Sequence, residues 1–226
     1  MSGIILGLRE YIFLSLKELP LIVMVAPIFL GISEGNINLL MFGLGNAILA
    51  PTAAGLTGWL LRWPLNWLNP SGSVWKMPAS DVSPLLSETP MPSRPLELVQ
   101  VVPTYWMTIT VFFFTYLLFN GASLYNEEPV EGADAERVNN RKSQALMAMI
   151  LISVLGLVII GAKISLQDGG ENVLGILIAV LIGTLTSYGW FSFLKRCDIG
   201  RLEDVFGIQA RILPESALSD APVVCV

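Results

Sequence analysis

The sequence predicts an all-α, polytopic transmembrane bundle: four spanning helices plus a short N-terminal span or re-entrant, interfacial segment. Three observations carry this. Only 14% of the 226 residues are charged and 54% are hydrophobic, with a mean hydropathy of +0.66; a soluble domain carries about 25% charged residues to cover its surface. The charges are segregated, leaving charge-free windows at 35–61, 98–126, 144–162 and 172–194, of 27, 29, 19 and 23 residues. A helix needs about 20 apolar residues to cross the hydrocarbon core. Finally, no window alternates apolar and polar residues as a membrane β-barrel would, and 150–160 is apolar on almost every face. In lipid each backbone N–H and C=O must be satisfied within its own segment, which selects helices.

The first element, 1–33, is the least regular. Its charge-free stretch, 19–33, has 15 residues and reaches only about 22 Å, short of a core of about 30 Å. Upstream, Ile4, Ile5, Leu8, Ile12, Leu16 and Leu19 recur at roughly helical spacing, the pattern of an amphipathic helix lying on a membrane. Pro20 and Pro27 interrupt the segment, and the absence of a small-x-small site after it argues against a cleaved signal peptide. Counting Lys and Arg on each side tests the number of crossings. Five spans put six on one side and seven on the other, whereas four spans give nine against four. The bias favours four full spans, with both termini and the 121–143 loop on the cytoplasmic side.

The second element, 35–61, holds the sequence most like an intramembrane polar site. Gly43, Gly45 and Asn46, followed by Pro51, resemble the broken helices that transporters use to hold ions or solutes. Gly and Pro are also common in ordinary membrane helices, and no Asp, Glu, Lys or Arg lies inside any of the four long windows. Further along, Ala50, Ala54 and Gly58 form a stripe of small residues four apart, as do Gly175, Ala179, Gly183 and Ser187 in the last window. Helices in lipid associate through close backbone approach, so both stripes are expected to be packing faces, either within the bundle or in a homo-oligomer. Where the second window ends, Trp59, Trp63 and Trp67 place three indoles on one face, an interfacial belt.

Between the second and third spans, 62–103 contains eight of the 14 prolines. That density predicts extended backbone without helix or sheet ladders, and Pro64 is expected to kink or end the preceding helix. A third span is placed at 104–124. The loop 125–143 is acidic and then basic, with Glu127, Glu128, Glu131, Asp134 and Glu136 before Arg137, Arg141 and Lys142, and is read as a solvated connection with a short helix leading into the next span. Spans at 144–163 and 172–194 follow. The tail, 195–226, has an amphipathic stretch from Asp198 and an apolar end expected to be covered. Cys197 and Cys225 define no disulfide framework.

Composition also excludes functions. Without histidine, zinc sites built on His, Ser-His-Asp or Cys-His catalysis and His-ligated haem are removed. A net charge of −5 argues against nucleic acid as a partner. No catalytic, metal-binding or cofactor-binding residue is identified.

Two stretches carry a resemblance: 138–146 (VNNRKSQAL), leading into a span, and the exit Tyr188-Gly189-Trp190-Phe191 with the tail through Asp204-Val205-Phe206-Gly207-Ile208 to Pro222-Val223-Val224-Cys225-Val226. They resemble small polytopic inner-membrane and minor capsid-associated proteins of large icosahedral double-stranded DNA viruses. The resemblance implies a virion component in an internal membrane, touching capsid proteins through its loops. The expected function is a non-enzymatic scaffold or anchor, with the bilayer and proteins bound by the 62–103 loop and the tail as partners. A small-solute transporter or channel subunit is the alternative.

Overall fold

Gly35 adopts the left-handed conformation (φ 65°) that a residue without a Cβ enters without strain, and there the chain reverses. The helix before it, α1 (Ser2–Glu34), thus doubles back along α2 (Ile37–Leu44), whose N-terminus is capped by Asn36 accepting from the Leu39 N–H at 3.2 Å. After a π-helical turn at Gly45–Leu49 the same rod continues as α3 (Ala50–Leu68). A short antiparallel ribbon, β1 (Lys76–Pro78) and β2 (Leu98–Gln100), precedes α4 (Tyr105–Asn126), α5 (Ala135–Leu166) and α6 (Val173–Arg196). The computed structural model describes residues 2–68, 76–78, 98–100, 102–127, 135–166, 173–197 and 205, without the side chains of 2–14 and 17 among others. The amphipathic face of 1–16, the acidic centre of the 125–143 loop, most of the 62–103 loop and nearly all of the tail lie outside that description.

Four helical rods are long and apolar enough to cross a membrane: Ile37–Leu68, Tyr105–Asn126, Val138–Ser165 and Val173–Arg196. The chain is an all-α integral membrane protein of the multi-pass kind. Its hub is α4, whose apolar window is 67% buried, against 11% for that of α5. α5 runs antiparallel to the hub: Gly121 meets Met149, Phe114 meets Gly156 and Trp106 meets Lys163. α6 runs parallel to it, with Val111 against Gly183, Tyr116 against Phe191 and Ser123 against Lys195. At the other side Leu65 of α3 packs with Val102, Leu61 and Ile178. Phe42, Ile109, Phe112 and Tyr116 are fully buried in the largest apolar cluster, with outward Leu, Ile and Val left for lipid.

The prolines do not break the helices as their positions predict. α1 runs unbroken through Pro20 and Pro27, and α3 passes Pro64 to end at Leu68. A proline lacks the N–H that would reach the carbonyl four residues back, so Pro20 orphans Leu16 and Pro27 orphans Val23. Side chains from other helices fill both gaps: Trp106 Nε1 donates to the Leu16 carbonyl at 2.6 Å and Asn46 Nδ2 to the Val23 carbonyl at 3.0 Å. In the loop, the expected lack of sheet pairing is corrected locally. Pro78 pairs with Leu98 in the ribbon, which is permitted because both strands of a two-stranded ribbon are edges.

The same contacts fix the course of α1. Its C-terminal part is antiparallel to α2 and α3, with Gly31 against Leu40 and Gly43 against Pro27 and Ile28, and Leu16 comes level with Trp106 in the first turn of α4. Residues 16–34 rise about 28 Å. α1 thus packs beside the four rods that are long and apolar enough to span, the number the Lys/Arg bias favours. With Cys197 and Cys225 replaced by serine, single cysteines at Ser2 and Ser219 are expected to react with an impermeant maleimide from the same face of the membrane. Labelling from opposite faces would establish an odd number of crossings.

Candidate functional site

The π-turn lies where two backbone demands meet. Pro51, the second residue of α3, offers no N–H to Ala47, and the wider turn at Gly45–Leu49 absorbs the mismatch before it. Thr52 Oγ1 then donates to the carbonyls of Ile48 and Leu49 at 2.6 and 3.0 Å. The turn is flanked by glycines that serve close approach: a Cβ on Gly43 would stand 2.9 Å from the Ile28 nitrogen, and one on Gly45 would strike the Trp190 indole. That indole donates from Nε1 to the Met41 carbonyl at 3.1 Å, one turn before the bulge. Gly43, Gly45, Asn46 and Pro51 are thus brought together at one locus, where α1, α2, α3 and α6 converge.

Chemically the locus is neutral. Asn46 is fully buried and uses its amide N–H on Val23, while its Oδ1 has no hydrogen-bond partner among the described residues. The buried hydroxyls of Thr110 and Ser187 likewise have none among them. Among the described residues no group of three or more His, Cys, Asp or Glu stands together to hold a metal. Amide and hydroxyl oxygens of this kind accept hydrogen bonds; none is a general acid or base near neutral pH.

The small-residue stripes lie inside the chain. Gly175, Ala179, Gly183 and Ser187 are all buried, with Gly183 closest to the Thr108 carbonyl and Val111 of α4 and Ala179 packed with Trp106, Met107 and Val111. Ala50 and Ala54 are buried and Gly58 half-buried. Trp59, Trp63 and Trp67 point outward, 70%, 81% and 77% exposed.

Three side chains to which the sequence reading gave no packing role tie the helices together. Trp106 holds the Leu16 carbonyl through its N–H and carries the buried Lys163 ammonium 5.5 Å above its ring, tying α1, α4 and α5. Trp190 braces the π-turn. At the opposite end Arg141 Nη2 donates to the Glu127 carbonyl at 2.6 Å, and Nη1 lies 3.7 Å from Glu127 Oε2. This bridge closes the α4–α5 connection at the residue that caps the C-terminus of α4. The proline positions signal which carbonyls need donors, but no local pattern signals that Trp106 supplies one. Cys197, following α6, is a half-buried free thiol. No family model, curated protein or solved structure matches the chain.

Proposed function

We propose that this protein is a non-enzymatic structural component of a membrane, a scaffold or anchor that links the bilayer to partner proteins through the 62–103 loop and the 195–226 tail. The observation that carries the reading is how the interior polar groups are used. The donors of Asn46 and Trp106 are spent on carbonyls that prolines orphan, and the large aromatic side chains Phe42, Phe112 and Tyr116 are fully buried in the core between the helices. Such an interior holds helices in register. The resemblance to inner-membrane proteins of large icosahedral DNA viruses makes capsid proteins the proposed class of partner.

The transporter reading keeps one supporting observation, the π-turn beside the unfilled Asn46 Oδ1, since irregular helices at polar residues line solute sites in carriers. Reconstitution into liposomes separates the two. The scaffold is expected to show no solute flux above empty vesicles and to co-purify in mild detergent with partners that deletion of 79–97 releases. Flux that Asn46→Ala abolishes, in protein that stays folded, would overturn the scaffold.

A further inference from the structure

We infer that the outward face of α3 binds the headgroup of an anionic phospholipid, with Arg62 on its phosphate. Trp59, Leu60, Arg62, Trp63 and Asn66 line an open depression of about 390 Å³, within the range of roughly 300–1,000 Å³ common to small-ligand sites. Positions 59, 62, 63 and 66 follow the i, i+3, i+4, i+7 stripe, so the helix itself assembles the lining. Its ingredients divide by chemistry: two indoles supply apolar walls with N–H donors, Arg62 a planar cation suited to phosphate oxygens, and Asn66 an amide. Pro64 leaves the Leu60 carbonyl without its helical donor, an acceptor for a headgroup hydroxyl.

Depth selects lipid as the occupant. The charge-free window ends at Leu61, and Leu65 stands level with Val102, just ahead of the first turn of α4. The depression thus straddles the boundary where acyl chains give way to phosphates. Indoles favour that layer, and an arginine there reaches toward lipid phosphate. No acidic residue occurs from 35 to 80, and among the described residues no carboxylate pairs with Arg62. The inference rests on the bundle lying in a bilayer and is independent of what the protein scaffolds.

Native mass spectrometry of the full chain in detergent, titrated with phosphatidylglycerol or phosphatidylcholine, tests it. One cation facing an anionic headgroup favours it about five-fold. The wild type is expected to prefer phosphatidylglycerol by about that factor. Arg62→Gln should remove the preference, and Arg62→Lys should keep part of it, with thermal unfolding unchanged in both because the side chain is exposed. Equal affinity for the two lipids, a preference that survives Arg62→Gln, or full competition by soluble glycerol phosphate at millimolar concentration would each overturn the assignment.

Discussion

Replacing Gly183 with isoleucine is expected to cost about 3 kcal/mol of stability and to pry α6 from the hub. Even a Cβ at this position would stand 2.8 Å from the Thr108 carbonyl oxygen and 3.1 Å from the Val111 side chain. The first neighbour is backbone of the most buried helix, which has nowhere to retreat; overpacking at such a site costs roughly 1–3 kcal/mol and at times more. A β-branched side chain enlarges the clash along a stripe that otherwise lets the two helices touch. Thermal unfolding in detergent micelles measures the loss. Gly161→Ala and Gly189→Ala are the controls, since a Cβ at either meets nothing within 4 Å; they should leave stability unchanged or raise it slightly through better helix propensity. Equal destabilisation by controls and Gly183→Ile would remove close α4–α6 contact as the cause.

The second large effect is at Trp106. Trp106→Ala removes a buried ring and should cost about 3–5 kcal/mol. Trp106→Phe is more informative, because it keeps a ring beneath Lys163 but deletes the N–H that serves Leu16. An orphaned buried carbonyl costs roughly 1–3 kcal/mol. The origin of that cost can be tested through the proline that created the need. Pro20→Ala restores an N–H four residues after Leu16, so the loss from Trp106→Phe should shrink by about 1 kcal/mol in the Pro20→Ala background. Strict additivity of the two substitutions would show that the indole does not stand in for the missing helical donor.

These two sites differ in how far the sequence foretells them. Gly183 belongs to a stripe whose spacing already marks a packing face, because in lipid a row of small residues has little use other than close approach. What spacing withholds is the partner, and the fold supplies it: α4 of the same chain. Trp106 carries no such mark. It lies near the start of the 104–124 span with no stripe or repeat around it, and it is buried where Trp59 and Trp63 are exposed. The difference lies in what each faces once the helices assemble. The same holds for Lys163, the last residue of the 144–163 span in the sequence, which is buried over the Trp106 ring.

The sequence by itself determined that lipid is the solvent and helix the secondary structure, and it located the four long spans. Those follow from charge-free length and from the need of every backbone group for a partner within its own segment, both local quantities. It also determined which carbonyls the prolines would orphan, since that is arithmetic of four residues along a helix. Only the tertiary structure decided that those carbonyls are satisfied, by donors 90 and 23 positions away, and hence that α1 continues unbroken through both prolines. A hydrogen bond between helices depends on which faces meet, and that is set by the packing of the whole bundle.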